Sequence, residues 1–135
     1  MDLHLENGSN GHQVRECTAN GVRVDNQLLT RSFLLTPDRI EADIALDTVQ
    51  GLDDEAESSR IIERLLVPQP ELVLLGTGTR LQFPSPRFQA ALLRHGIGLE
   101  SMDNAAAART FNLLAGENRR VVALFLLPAG VANAG

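Results

Sequence analysis

Two hydrophobic patterns alternate along the second half of the chain. Continuous apolar runs occupy residues 72–75 and 121–127, and a short segment at residues 97–100 carries Ile97 and Leu99 at alternate positions. Such runs are typical of strands covered on both faces, whereas the segments between them carry apolar residues at helical spacing. Each helical segment begins near a capping signal, namely Asp53 or Asp54, Ser85-Pro86, and Asp103 or Asn104. The pattern after Gly51 therefore predicts three alternating pairs of helix and strand.

The first half has a different pattern, in which short apolar segments between positions 14 and 45 are separated by turn residues. Asn20-Gly21 and Asp25-Asn26 are typical of hairpin turns, and Thr36-Pro37-Asp38 marks a further turn. This spacing predicts a β-meander of about three to five short strands.

The chain is expected to form a single domain over residues 14–128. Residues 1–13 are polar and rich in Gly and Asn, which predicts a flexible N-terminus, and residues 129–135 are predicted to be a loose C-terminal tail. No apolar run is long enough to span a bilayer, and residues 1–11 lack the apolar segment of a secretory signal. We therefore expect a cytoplasmic location, with membrane association, if any, at the periphery.

Composition excludes several classes of function. The 135 residues carry a net charge of −5, so binding to nucleic acid is not expected. The absence of Trp and Tyr argues against a stacking platform for single-stranded nucleic acid. Cys17 is the single cysteine and no two histidines have ligand spacing, so neither a disulfide nor a metal site is predicted. No complete catalytic motif occurs, and neither catalytic residues nor a cofactor is expected.

The carboxyl ends of the predicted strands are the strongest candidate for a binding site, because right-handed crossovers would place them at one sheet edge. That edge would gather Gly76, Thr77, Gly78, Thr79, Arg80, Glu100, Asp103 and Asn104. Two glycines after a strand let a backbone approach a phosphate, and Glu100 closes the next strand, where a ribose-binding acid would lie. However, Leu81 replaces the third glycine of that fingerprint and Phe83-Pro84 delays the helix, which favours a structural turn. Gly76 or Gly78 is expected at positive φ.

A polar cluster is a second candidate. Arg109 and Asn112 lie one turn apart on the third predicted helix, which begins near Asp103 and Asn104. Together these side chains would hold a carboxylate or a partner's backbone, with Arg109 approaching the glycine turn or Asp103. The alternative is that Asp103 and Asn104 cap the helix while Arg109 faces solvent or pairs with a nearby acid.

Four segments occur in an order that resembles a known family. They are GTGT at 76–79, GIGLESM at 96–102, AARTFNLL at 107–114 and RRV at 119–121. In this order they resemble the Mth938-like family, a domain of unknown function found in bacteria, archaea and mitochondria. The resemblance extends over nearly the whole predicted domain. It implies an α/β fold in three layers, with an N-terminal β-meander packed on a small Rossmann-like parallel or mixed sheet flanked by helices.

The resemblance implies little about activity, because most bacterial members have no established activity. Mitochondrial relatives include a respiratory complex I assembly factor of the inner membrane. We therefore expect a noncatalytic protein-interaction module with a protein partner, of the kind that assists assembly of a membrane-associated respiratory complex. The alternative is a small-molecule or nucleotide binder at the Gly76–Arg80 edge. Some members carry Cys where this chain has Ala108, so a thiol-based site is not expected.

Overall fold

The protein, described by a computed structural model over residues 11–128, contains the predicted order of strands and helices. The strands are β1 (Val14–Thr18), β2 (Gly21–Val24), β3 (Gln27–Leu29), β4 (Phe33–Thr36), β5 (Arg39–Glu41), β6 (Leu72–Gly76), β7 (Gly98–Met102) and β8 (Val121–Phe125). The α-helices are α1 (Glu55–Leu66), α2 (Pro86–Leu93) and α3 (Asn104–Gly116), and a 3-10 helix covers Val49–Asp53. The expectations for residues 1–10 and 129–135 lie outside the described residues, and the domain boundaries remain predictions.

The first three strands form an antiparallel sheet, here called the meander sheet, in the order β1-β2-β3. The first turn leaves Gly21 as the first residue of β2, opposite Thr18. Asp25 takes a φ of 54° between β2 and β3, a conformation that Asp and Asn tolerate better than most residues. The predicted β-meander is therefore confirmed.

The other five strands form the central sheet, in the order β5-β4-β8-β6-β7. β6 pairs in parallel with both β7 and β8, as the crossover rule predicts, while β4 pairs antiparallel with β8. The sheet is therefore mixed. β8 ends at Phe125, two residues earlier than its apolar run. Leu126 N–H still donates to the Gly76 carbonyl of β6 at 2.9 Å, whereas Leu127 N–H donates to the Ser32 hydroxyl at 2.8 Å, outside the strand pairing.

Two of the three α-helices begin at the carboxylates that the sequence identifies as caps. Asp54 accepts a hydrogen bond from Glu57 N–H at 2.9 Å, and Asp103 accepts one from Ala106 N–H at 2.8 Å. Each bond satisfies an N–H group that the first helical turn leaves without a partner. Ser85 precedes α2 as predicted, but its hydroxyl makes no capping bond; Pro86 at the first helical position supplies the preorganised φ.

Side chains of the central sheet alternate between two hydrophobic cores, so each face of the sheet is covered. One face packs against α3 and the meander sheet, through Val22, Val24, Phe33, Leu74, Phe111 and Phe125. The other face packs against α1 and α2, through Leu34, Leu65, Val73, Phe88, Leu92 and Leu124. The three layers implied by the resemblance are therefore confirmed.

Replacing Phe111 with Ala should strongly destabilise the protein. Phe111 has no exposed surface and lies in the core between α3 and the two sheets, so its truncation should lower the free energy of unfolding by about 3–5 kcal/mol. Leu113→Ala on the same helix is the matched control, because Leu113 is 61% exposed and its truncation should cost no more than about 0.5 kcal/mol. Urea denaturation measures both values, and equal losses in the two variants would contradict this packing.

Candidate functional site

The turn after β6 depends on its two glycines for different reasons. Gly78 has a φ of 98°, which confirms that one of the two adopts a left-handed conformation that disfavours side chains. Gly76 is required by space instead, because a Cβ there would overlap the Asn104 side-chain oxygen. The predicted sharp turn at the end of the strand is therefore present, and helix α3 is packed directly against it.

Asn104 is the residue that fixes the shape of this turn. Its side chain is buried and lies between the turn and the segment that follows β8. Asn104 Oδ1 accepts from Gly78 N–H at 3.1 Å, and Nδ2 donates to the Leu126 carbonyl at 3.1 Å. Asn104 N–H also donates to the Gly78 carbonyl at 2.8 Å. One buried amide thus joins the ends of β6 and β8, so the two segments cannot move apart without leaving polar groups unpaired.

Thr77 folds the loop that follows. Its N–H donates to the Met102 carbonyl at 2.9 Å, which continues the contact between β6 and β7. Its hydroxyl lies 2.6 Å from the Arg80 carbonyl, to which it can donate, and accepts from Gln82 N–H at 3.1 Å. Since the hydroxyl is used within the protein, it is a structural group here and would have to exchange partners to contact a ligand.

A groove of about 310 Å³ opens beside this turn. Thr77, Gly78, Thr79, Arg80 and Asn104 line one wall, as the position of the edge predicts. The remaining lining comes from Thr18, Ala19, Asp47, Thr48, Gln82 and residues 126–128. No spacing rule connects the segments around positions 18 and 47 with the glycine turn, because tertiary packing alone brings them there.

The phosphate interpretation of the glycine turn is weakened by its hydrogen bonds. A phosphate cradle needs backbone N–H groups that point at the ligand. Here Gly78 N–H donates to Asn104 Oδ1 and Thr77 N–H donates to the Met102 carbonyl. Two donors that a phosphate would require are therefore already used inside the protein.

The two predicted acids of the edge are in different environments. Asp103 is the N-cap of α3, so its carboxylate is held by the helix. Glu100 is exposed on β7, the outermost strand of the central sheet, and is not among the residues that line the groove. The geometry thus brings Asp103 to the base of the turn, whereas Glu100 remains on the outer strand.

The predicted position of Arg109 is wrong. The Arg109 side chain is exposed and makes no hydrogen bond or ion pair with any residue between 11 and 128. Arg109 follows the cap residue Asp103 by six residues, which is close to two helical turns. It therefore lies within α3, away from the N-terminal end of the helix that faces the glycine turn. The expected contact of Arg109 with the Gly76–Thr79 loop or with Asp103 is therefore absent from the hydrogen bonds and ion pairs of the described residues.

Asn112 is also placed differently from the prediction. Its Oδ1 accepts from Val14 N–H and its Nδ2 donates to the Val14 carbonyl, both at 2.9 Å. The two bonds have the same donor and acceptor arrangement as those of a neighbouring strand, and they connect α3 to β1 across 98 residues of sequence. Asn112 therefore holds the meander sheet on the helix and does not join a polar cluster with Arg109.

Cys17, the single thiol, has a raised pKa. Burial disfavours the thiolate first, and the nearby Asp103 carboxylate adds repulsion that also raises the pKa. A raised pKa lowers the thiolate fraction at neutral pH, which favours a packing role for Cys17.

Between residues 11 and 128, no group of three or more His, Cys, Asp or Glu side chains is arranged to hold a metal ion. None of the described helices is long and apolar enough to cross a membrane. The expected cytoplasmic location remains a prediction.

Comparison with known families and proteins gives consistent matches. The sequence model of a family described as "protein of unknown function (DUF498/DUF598)" matches residues 14–126. The bovine "NADH dehydrogenase [ubiquinone] 1 alpha subcomplex assembly factor 3" (Bos taurus) is 32% identical over 108 residues. That match covers 75% of this chain but only 59% of the bovine protein. The chain thus spans about three fifths of this relative's length.

Solved structures share the fold. An NMR structure of a Xanthomonas campestris protein is 39% identical, has a TM-score of 0.73, and is matched over 86% of this chain and 84% of its own. The NMR structure of a Bordetella pertussis protein, described as an Mth938-like domain, has a TM-score of 0.73 at 24% identity, over 93% of this chain and 92% of its own. The resemblance to the Mth938-like family is confirmed.

Replacing Gly76 with Ala should destabilise the protein through its contact with Asn104. The added Cβ would overlap Asn104 Oδ1, and such overpacking costs about 1–3 kcal/mol. Asn104→Ala should cost a similar amount, because it leaves Gly78 N–H and the Leu126 carbonyl without partners. The double variant should cost less than the sum, since removing the amide also removes the overlap.

Gly116→Ala is the control for this experiment, because a Cβ at Gly116 meets open space and alanine is the better helix former. Urea denaturation of all four variants gives the free energies of unfolding. Strictly additive losses for Gly76→Ala and Asn104→Ala would contradict the assigned contact.

Proposed function

We propose that this chain, which belongs to the DUF498/DUF598 family of proteins of unknown function, assists assembly of a membrane-associated respiratory complex as a noncatalytic protein-interaction module. The name of its bovine relative, an assembly factor for NADH dehydrogenase, supports the assembly role. The match covers only part of that relative, so the partner and the contact surface on this chain have to be argued from the structure.

One observation carries the choice of surface: two large apolar side chains are exposed beside the groove. Leu81 and Phe83 both lie in the loop after the glycine turn, and Phe83 is 72% exposed. Aromatic and large aliphatic side chains are typical anchors of protein interfaces, where they fill pockets of the partner. We name this surface, formed by residues 77–84 and the adjoining groove, the loop surface.

The loop surface is suited to recognition because its backbone is already ordered. The Thr77 hydroxyl bonds the Arg80 carbonyl and Gln82 N–H, and Pro84 restricts the residue before it. An anchor presented from an ordered loop loses less conformational entropy on binding than one on a mobile loop. Leu81 and Phe83 can therefore contribute more of their buried area to affinity.

The chemistry of the edge favours binding over catalysis. Thr77, Asp103 and Asn104, which carry the most reactive-looking groups there, are each used in hydrogen bonds to the backbone. A general base or nucleophile has to be within hydrogen-bond reach of its substrate. These side chains would have to abandon structural bonds to act so, which supports a noncatalytic role.

The alternative function is a small-molecule or nucleotide binder at the Gly76–Arg80 edge. The groove of about 310 Å³ with Arg80 in its wall favours it, since small-molecule sites have volumes from about 300 Å³ upward. Thermal unfolding with nucleotides near 1 mM separates the two functions, because a ligand of the folded state raises apparent stability. A clear rise that Arg80→Gln removes would support this alternative.

The double variant Leu81→Ser, Phe83→Ser should lose the partner while remaining folded. Both side chains are exposed, so their replacement should change the free energy of unfolding by no more than about 0.5 kcal/mol. Loss of an interface anchor should weaken binding by about 2 kcal/mol, or roughly 30-fold. The first measurement is the amount of assembled NADH-oxidising complex in membranes of cells that carry only the variant. The second is the amount of the subunits of that complex that copurify with the variant.

Leu93→Ser, Leu113→Ser is the matched control, because these leucines are comparably exposed on α2 and α3. If the control pair reduces assembly as much as the loop pair, the loop surface is the wrong one. Unchanged complex levels in cells that lack the chain would overturn the assembly role itself.

A further inference from the structure

A second and larger cavity, of about 940 Å³, lies at the opposite end of the central sheet. It opens where β8 begins and where the turn between β4 and β5 approaches the meander sheet, and we call it the β8 cavity. Its titratable lining residues are His12, Arg15, Asp25, Asp38, Arg119 and Arg120. Neither the glycine turn nor the loop surface contributes to it.

The β8 cavity opens because β4 and β8 stop pairing there. Their register ends at Leu35 opposite Ala123, so Pro37 is the residue that would come opposite Val121. Proline has no N–H to donate, and the Pro37 carbonyl accepts from His12 N–H at 2.8 Å instead. Pro37 therefore ends the ladder, and the two strands part beyond it.

The separation leaves backbone groups of Val121 facing the cavity. Successive residues of a strand direct their N–H and C=O groups to alternate sides. Leu127 N–H bonds the Ser32 hydroxyl on the β4 side, and Val121 precedes Leu127 by six residues, so its backbone groups also face β4. The strand partner that would receive them is Pro37, which has turned to His12. The backbone groups of Val121, which is only 1% exposed, therefore have no ladder partner in β4 at this end of the sheet.

The acids that line the cavity already have partners. Asp25 accepts from His12 Nδ1 at 2.6 Å and from Gln13 N–H at 3.1 Å. Burial acts to raise the pKa of Asp25, but these hydrogen bonds and nearby positive charge outweigh it and the pKa is lowered. Asp38 accepts from the Thr36 hydroxyl at 2.9 Å. Both carboxylates thus have hydrogen-bond partners that are not arginines, and the Arg15 charge acts on Asp25 only through space.

The arginines, by contrast, have guanidinium N–H groups that are not all used in hydrogen bonds. Arg119 is paired with the Glu71 carboxylate at 3.1 Å, whereas Arg120 uses its Nε for the Gln69 carbonyl, also at 3.1 Å. The Arg15 side chain makes no hydrogen bond or ion pair with the residues described between 11 and 128, although its charge helps to lower the pKa of Asp25. A guanidinium carries five N–H donors in a planar fork that fits carboxylate and phosphate. Unused donors of Arg15 and Arg120 therefore lie at one cavity.

We propose that the β8 cavity binds an anionic small molecule that has a phosphate or carboxylate group and an apolar body. The anionic group lies against Arg15 and Arg120, and the body lies against Pro68, Pro70 and Val122, which supply apolar wall. The volume suits a ligand of this kind, since small-molecule sites extend to about 1,000 Å³. Because the whole chain carries a charge of −5, the binding depends on these arginines and not on a general attraction for anions.

The test is a titration followed by amide NMR shifts, with four probes: adenosine monophosphate, citrate, inorganic phosphate and uncharged adenosine. The two organic anions distinguish phosphate from carboxylate chemistry, inorganic phosphate lacks the apolar body, and adenosine lacks the charge. At least one organic anion should shift the amides of His12, Val121 and Val122 and bind more tightly than inorganic phosphate. Adenosine should not shift them.

Arg15→Gln should weaken that binding about tenfold or more, as expected when a hydrogen bond to a charged group is lost. Arg15→Lys should restore part of the affinity, because it keeps the charge without the fork. Arg109→Gln is the matched control, because it removes the same charge from an exposed arginine outside the cavity. This variant should bind the anion as tightly as the original chain does.

Three results would overturn the proposal. The first is no amide shift with either organic anion up to about 10 mM, which limits affinity to less than about 3 kcal/mol. The second is equal binding of adenosine and adenosine monophosphate with no binding of citrate, and the third is unchanged affinity in Arg15→Gln. Because Leu81 and Phe83 lie outside the cavity, these results leave the assembly role and the loop surface unaffected.

Discussion

The pairing of β8 with two neighbours joins the two halves of the chain. β8 runs antiparallel to β4, which follows the meander, and parallel to β6, the first strand of the helix–strand half. All five of its residues are buried, so displacement of the strand would remove contacts from both hydrophobic cores. Phe125 also stacks on Phe33 of β4 with ring centroids 5.0 Å apart, which adds packing energy to the backbone pairing. The position of β8 therefore determines both surfaces on which function is proposed.

At the carboxyl ends of β6 and β8, the fixed position of β8 also fixes the position of the glycine turn. Asn104 bonds the Leu126 carbonyl on one side and Gly78 N–H on the other, so the turn is positioned by the same strand that closes the core. The side chains of Thr77 and Asn104 and the N–H group of Gly78 are used in these bonds within the protein. Leu81 and Phe83 remain exposed next to Thr79 and Arg80, and the two apolar side chains are the reason to favour a protein partner over a phosphate at this edge.

Patterns local in sequence predicted most of the fold, because caps, turns and apolar runs act over a few residues. The parallel pairing of β6 with β7 and β8 was predicted from the alternation of helices and strands, whereas their order in the sheet is known from the structure. The prediction failed for Arg109 and Asn112 because helical spacing gives the face of a side chain but not the layer that covers it. Asn112 bonds Val14, 98 residues away, and no rule of spacing relates such positions. The sequence offered Asn104 as one of two possible helix caps, whereas its side chain bonds Leu126 and Gly78, which are 22 and 26 residues away.

The two ends of the central sheet also qualify a general rule about binding sites. Ligands of open α/β sheets bind beyond the carboxyl ends of the strands, where neighbouring connections diverge and leave a crevice. In this protein, Asn104 and Thr77 narrow that crevice to a groove of about 310 Å³ and use their polar groups in hydrogen bonds within the chain. The strands diverge instead at the beginning of β8, where Pro37 ends an antiparallel ladder. A binding crevice requires neighbouring strands that separate and polar groups that the protein does not use itself. In a mixed sheet, an antiparallel neighbour can create such a crevice at the amino end of a parallel strand.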